Sequence, residues 1–191
     1  MGQNLQATKE ADRRRDWVNS GLAKFAKLLR ETNMDDLQQF YNAVLTEIVK
    51  YLQFNQGALF LLENTDLDKN NWFLQMKAAY AYERSKYLEK IIPYGNGALS
   101  EAVLQKESIY LTEIPSNYIK ITSGLGEALP NFTFICPLVY KEEVVGVIEL
   151  ADFGKMEDYQ KQYVLQIAES IASVLIANKI NANTLALLQE S

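Results

Sequence analysis

The side chains able to do chemistry are few, and their scarcity decides much. The chain has no histidine and one cysteine, Cys136. Nucleophile systems of the Ser-His-Asp and Cys-His kinds therefore lack their base. Zinc sites built on histidine are excluded, thiolate zinc sites need more than one cysteine, and a histidine-ligated haem has no axial ligand. Cys136 lies in an apolar stretch, Phe134-Ile135-Cys136-Pro137-Leu138, with no activating cation beside it in sequence. It reads as a small buried hydrophobe, the alternative being a redox or covalent cofactor site.

Four other constellations invite a chemical reading. Asp66-x-Asp68-x-Asn70 begins like a calcium loop, but position six is Asn71 instead of glycine and position twelve is Lys77 instead of glutamate, so it reads as a hairpin turn. Gly95-Asn96-Gly97-Ala98-Leu99-Ser100 resembles a phosphate loop without its third glycine, and it reads as a turn that opens a helix. Thr122-Ser123-Gly124-Leu125-Gly126 is no nucleophile elbow, because Ile121 stands where the leading glycine belongs. Its glycines suit a sharp turn or a close backbone approach to a ligand. Glu149 interrupts the apolar run from Val144 to Ala151. A carboxylate there is costly unless paired, which leaves a ligand contact, an ion pair with Arg84 or Lys77, or a solvent-facing edge. The polar-tipped aromatics Tyr80, Tyr82, Tyr118 and Tyr140 are core residues or pocket contacts.

The elements that must position these residues follow from periodicity. Helical spacing runs over 5–31, with Val18, Leu22, Phe25 and Leu29 on one stripe beside Trp17, and over 36–54, capped by Asp35. A continuous apolar run at 57–63 predicts a buried strand. Alternation predicts a second at 72–83, with Trp72, Leu74, Met76, Ala78, Tyr80 and Tyr82 sharing a face. Residues 84–94 read as a connector, 98–106 as a short helix, 108–112 as a short strand and 115–130 as an irregular segment. Strands at 131–140 and 143–153 form a hairpin about Lys141-Glu142, with Pro137 demanding an edge or a bulge. From Lys155 onward one long helix carries Val164, Ala168, Ile171, Leu175, Asn178, Ala182 and Leu185 in heptad rhythm, and no glycine or proline terminates it. We divide the chain into an N-terminal helical extension at 1–19, one domain at 20–177 and a C-terminal helical extension at 178–191.

Composition sets the broad class. Apolar residues make up 48% and the net charge is −5, which suits a globular domain and disfavours nucleic acid as a partner. Arg13-Arg14-Arg15, the one basic cluster, reads as a solvated helix face. The lone cysteine and the absence of a signal peptide or membrane-length apolar run lead us to expect a cytoplasmic protein with no membrane insertion.

The order of these elements resembles the GAF domain family. Gly95 to Val103 followed by Ser108 to Thr112 is similar to its glycine turn, helix and short strand. Cys136-Pro137-Leu138 with Val145 to Leu150 is similar to its closing hairpin, and Gln56 to Leu62 to its first strand. The resemblance covers roughly residues 20–177. It implies an α+β fold with a central antiparallel sheet of five to six strands, the N- and C-terminal helices on one face, and short helices and loops over a pocket on the other. It further implies ligand contacts at Tyr118, Ile121, Ser123, Gly124, Gly126, Glu127, Phe134 and Cys136. A homodimer and helix relay would run through Trp17, Leu22, Phe25, Leu29, Ile171, Leu175, Asn178 and Leu185. The family's cyclic-nucleotide signature is absent. Its bilin-binding members need a suitably placed cysteine, usually with a histidine, and its sulfoxide-reducing members need more than one cysteine.

We therefore expect a non-enzymatic sensor module of a signal-transduction protein such as a bacterial sensor histidine kinase. It would bind an unidentified small molecule and pass a change through its terminal helices to an output domain. The alternatives are a ligand-free dimerisation and relay module and, more remotely, a redox enzyme using Cys136.

Overall fold

The computed structural model describes residues 2–81, 91–95, 97–114, 121–123 and 126–190, with only the backbone described over 121–123 and 126–127. Its elements are α1 (Gly2–Glu31), α2 (Leu37–Leu52), β1 (Gln56–Glu63), β2 (Phe73–Tyr80), β3 (Ile91–Pro93), α3 (Gly97–Gln105), β4 (Ile109–Leu111), β5 (Ile121–Ser123), β6 (Gly126–Ala128), β7 (Phe132–Tyr140), β8 (Glu143–Asp152) and α4 (Asp158–Glu190). Six strands form one antiparallel sheet in the order β3-β2-β1-β8-β7-β4, while β5 and β6 make a separate hairpin. The fold is the expected α+β arrangement.

Two layers of side chains sandwich the sheet. On one face Leu59, Ala78, Phe132, Phe134, Cys136, Leu138, Ile148 and Leu150 pack against α2 and the first half of α4 in one continuous core. On the other, Ala58, Phe60, Leu62, Leu74, Met76, Ile135 and Val147 pack with Ala102 and Val103 of α3. The helix α1 lies outside α2 and α4, burying Val18, Gly21 and Phe25. It runs parallel to α4, since Arg14 stacks on Tyr159, Trp17 meets Tyr163, and Leu22 to Leu29 share a groove with Gln166 to Val174. The free end of α1 and the exposed tail of α4 consequently project from opposite ends of the domain.

Several local expectations need correction. The N-cap of α2 is Asp36, not Asp35, its carboxylate accepting from the Gln39 N–H at 3.1 Å. The connector at 84–94 ends in a strand, β3, paired to β2, and the irregular segment 115–130 contains the β5–β6 hairpin. The side chains of 72–80 do not share one face. Leu59 pairs with Ala78 but Phe60 pairs with Met76, so Lys77 is the extra residue of a bulge. One inserted residue inverts the alternation, sending Leu74 and Met76 to the α3 side and Ala78 to the α2 side. Tyr82 lies outside the described residues.

Pro137 behaves as its missing N–H requires. Its strand is paired to β4 only as far as Ile135, so Pro137 has a free edge there, and a bulge follows at Leu138/Val139. The β7–β8 turn holds both Lys141 (φ 48°) and Glu142 (φ 67°) in left-handed conformation, the geometry of a two-residue hairpin turn that matches strand twist.

By length and composition alone α4 would suffice to cross a membrane, although no unbroken apolar run marks it. Its first half, from Tyr163 to Leu175, is the core helix that covers the sheet. Its second half carries Ile180, Leu185, Leu187 and Leu188 exposed.

Candidate functional site

Among the described residues, the buried polar or charged side chains are Gln56, Ser100, Thr133 and Glu149. Strand alternation puts three of them on the same face. Gln56 shares parity with Ala58 and Phe60, Thr133 with Ile135, and Glu149 with Val147, all of the α3-side core. Ser100 lies on α3, which packs across β7 and β8.

Register fixes how the three strand residues sit. Ala151 pairs with Gln56 on one side and with Thr133 on the other. Glu149 occupies the next same-face position along β8, flanked by Ala58 and Ile135. Neighbouring strands are about 4.8 Å apart, so Gln56 and Thr133 stand roughly 10 Å apart across Ala151, with Glu149 at the third corner about 7 Å along the strand. Alanine at positions 58 and 151 keeps the floor between these corners low. Three of the oxygens have no hydrogen-bond partner in the fold: Gln56 Oε1, Thr133 Oγ1 and Ser100 Oγ. An orphaned buried polar atom costs about 1–3 kcal/mol, and the helix-side core carries one as well, the hydroxyl of Tyr163.

Glu149 is only 2% exposed, which removes the solvent-edge reading. Lys77, one proposed partner, reaches Glu63 at 3.1 Å, and Arg84 lies outside the described residues.

The expected ligand contacts fare unevenly. Tyr118 and Gly124 fall outside the described residues. Ile121 and Ser123 lie on β5, and Gly126 and Glu127 on β6, where the hairpin pairs Ser123 with Gly126 and Thr122 with Glu127. Phe134 and Cys136 need correction, because both are 1% exposed in the core shared with α2 and α4, on the opposite side of the sheet from α3. The reason is parity: Thr133 and Ile135 take the α3 side, so their neighbours cannot. Burial also pushes the Cys136 thiol up to about 12, and its Sγ donates to the Pro137 carbonyl at 3.7 Å. Cys136 is a protonated core side chain, without the thiolate that redox or covalent chemistry needs. Sequence reasoning missed Gln56, Ser100 and Thr133, since polar residues inside or beside apolar runs mean little until register brings them together.

The helix residues divide as well. Phe25, Ile171 and Leu175 are buried within the core of this chain. Trp17 is the hub of an aromatic knot, with ring centroids 4.6 Å from Tyr51, 5.3 Å from Tyr163 and 5.2 Å from Tyr159. Tyr51 donates its hydroxyl to the Trp17 carbonyl. Gly21 permits this approach, for a Cβ there would lie 2.3 Å from the Tyr51 ring. Leu22 and Leu29 line the groove between α1 and α4, while Asn178 is half-buried and Leu185 exposed on the tail of α4. No group of three or more potential metal-ligating side chains occurs among the described residues.

Comparison with known proteins gives the family. The chain is similar to the GAF domain of a phosphoenolpyruvate-protein phosphotransferase from Coxiella burnetii, with a TM-score of 0.71, 13% identity, and 87% of this chain and 96% of that one covered. It is similar to the GAF domain of a putative sensor histidine kinase from Pseudomonas syringae pv. tomato, with a TM-score of 0.60, 13% identity, and 93% and 99% covered. It is also similar to a type II free methionine-R-sulfoxide reductase from Thermoplasma acidophilum, with a TM-score of 0.53, 19% identity, and 72% and 94% covered. At such identities these likenesses concern the fold. No functionally curated protein matches the sequence. A family model described as the GAF domain matches residues 35–176, and this chain belongs to that family.

Proposed function

We propose that this GAF domain is a non-enzymatic, cytoplasmic sensor that binds a small molecule on the α3 face of its sheet and relays the change through α1 and α4 to an output domain. One observation carries the reading: the buried polar side chains of the strands are gathered on the α3 face, while the terminal helices occupy the other. A ligand on the first face bears on β7 and β8, whose reverse faces seat α4. Because α1 and α4 run parallel and project from opposite ends, a shift of the sheet against them is transmitted along one axis. Ligand binding needs differential affinity for two such arrangements to act as a signal. The protonated, helix-side Cys136 supports the non-enzymatic reading. A second copy is the partner we assign to the exposed tail of α4, where the heptad line that begins at the buried Leu175 continues through Asn178 and Ala182 to the exposed Leu185.

Native mass spectrometry of the purified chain, repeated under denaturing conditions, tests this. A dimer carrying extra mass that is lost on denaturation is the expected result. A bare dimer favours the ligand-free relay, and a bare monomer removes helix-driven dimerisation of this chain.

A further inference from the structure

A helix lifts readily off a domain when it buries little, is tied by few polar contacts and holds its own shape. The helix α1 meets all three conditions. Of its 30 residues only Val18, Gly21 and Phe25 are buried, whereas α4 is buried at every turn from Tyr163 to Leu175. The Tyr51 hydroxyl donates to the Trp17 carbonyl, and Lys24 Nζ stands 3.5 Å from Glu47 Oε1. The Lys24 side chain is 63% exposed, and an ion pair so open to water adds little. Other ion pairs of α1 close within the helix: Arg14 to Glu10 at 3.3 Å, Arg15 to Asp12 at 2.7 Å and Lys27 to Glu31 at 3.9 Å. Pairs at this spacing support a helix that stands alone, so α1 takes its polar contacts with it when it leaves.

The seam beneath α1 also opposes its own closure. Tyr163 packs its ring against Trp17 and Gly21, and its hydroxyl is shut in without a hydrogen-bond partner. Lifting α1 returns that hydroxyl to water, which removes the penalty of the unmade bond. We propose that α1 is a strap, which lifts from the domain while the sheet, α2 and the first half of α4 stay folded, and that Tyr163 sets how often it does so. The strap is then the moving part of the relay proposed above and the buried half of α4 its fixed part. From that reading the inference takes only a purpose, since lifting needs no ligand.

Thiol labelling of the 191-residue chain, free of ligand, tests this. Val18→Cys places a thiol under the strap, native Cys136 reports opening of the core, and Ala11→Cys in a separate variant reports full exposure. Each rate is divided by that of the same thiol in the urea-unfolded chain. Position 18 is expected to react at least about 100-fold faster than Cys136 and about tenfold or more slower than position 11. Tyr163→Phe, which deletes the unpartnered hydroxyl, is expected to slow position 18 by about tenfold. Equal rates at position 18 and Cys136 show that α1 leaves only when the whole domain unfolds, and equal rates at positions 18 and 11 show that it is never seated. Either result overturns the strap. An unchanged or faster rate in Tyr163→Phe overturns the control assigned to that hydroxyl. Hydrogen exchange of the unsubstituted chain gives a reading that does not depend on Val18→Cys folding. Amides of 17–29 exchanging well before those of 163–175 support the strap, and exchange of the two segments together overturns it. The native mass spectrum tests the sensor reading separately, so failure here leaves that reading standing.

Discussion

The two faces of the sheet are built to different ends from the same strands. On the α2/α4 face Phe132, Phe134, Cys136 and Leu138 alternate down β7 and share one core with Tyr163, Ile167, Ile171 and Leu175. On the α3 face the same strand offers Thr133, Ile135 and Pro137, while β8 beside it adds Glu149 and β1 beyond that adds Gln56. The first face gains about 25 cal/mol for each Å² of apolar surface removed from water, with the Tyr163 hydroxyl left unpartnered within it. The second keeps three such oxygens, on Gln56, Thr133 and Ser100. On the reading proposed above, the larger apolar core lies on one side of the sheet and recognition on the other. A substitution should report which side it touches by whether it moves melting, ligand response, or both.

The largest effect is expected from Phe134→Ala. Its ring is 1% exposed on the helix side, and truncation should cost about 3–5 kcal/mol, measured by urea denaturation. Any ligand-dependent rise in melting temperature should persist in the folded fraction. Loss of that rise with little change in stability would break the two-face division and return Phe134 to the binding site.

Next comes Gly21→Ala, which tests whether the outer helix is tied to the inner layer. The added methyl would press on the rings of Tyr51 and Tyr163, at 2.3 and 2.8 Å. We expect a loss of about 1–3 kcal/mol and a change in Trp17 fluorescence as α1 lifts from the knot. An unchanged spectrum would show that α1 is not seated there.

A smaller effect concerns pH. Unfolded, the Cys136 thiol ionises near 9.0, whereas burial holds it protonated to about 12 in the fold. Between these values the unfolded state binds fewer protons than the folded one. The stabilisation is fully present below pH 9 and declines as pH rises from 9 towards 12. Burial likewise raises Tyr41, Tyr51 and Tyr163, which add losses of the same sign only above pH 10. Cys136→Ala should flatten the decline that begins at pH 9 in denaturation series, and iodoacetamide should label Cys136 only on unfolding. Rapid labelling of the native chain at about pH 8 would sink the account of Cys136 as a core side chain.

The smallest change in stability should follow removal of residues 178–191. That segment is exposed beyond Asn178, so the melting free energy should move by no more than about 0.5 kcal/mol. The proposed dimer should weaken by sedimentation analysis, and an unaltered dimer would place the contact elsewhere.

Much of this is legible in residue order. The apolar stripes of α1, α2 and α4, the buried first strand and the closing hairpin follow from local periodicity, which needs no knowledge of partners. The missing histidines and single cysteine exclude whole classes of catalysis on composition alone. Pro137, lacking an N–H, had to find an edge or a bulge, and it has both within reach.

Facing was decided elsewhere. Nothing local marks Lys77 as the residue that bulges out of β2, yet that one insertion sends Met76 and Ala78 to opposite sides. Phe134 and Cys136 went to the helix side because the register of β7 on β8 gives Thr133 and Ile135 the other. Gln56, Thr133 and Glu149 lie far apart along the chain and become neighbours only when β1 and β7 both pair with β8 at Ala151. Sequence determined the long helices and the long strands, because these are a matter of nearest neighbours, whereas the three-residue strands β3, β5 and β6 carry too few residues to show a period. Tertiary structure alone decided which polar atoms would be shut away together, because a period-two strand has two faces and only the strands beside it choose between them.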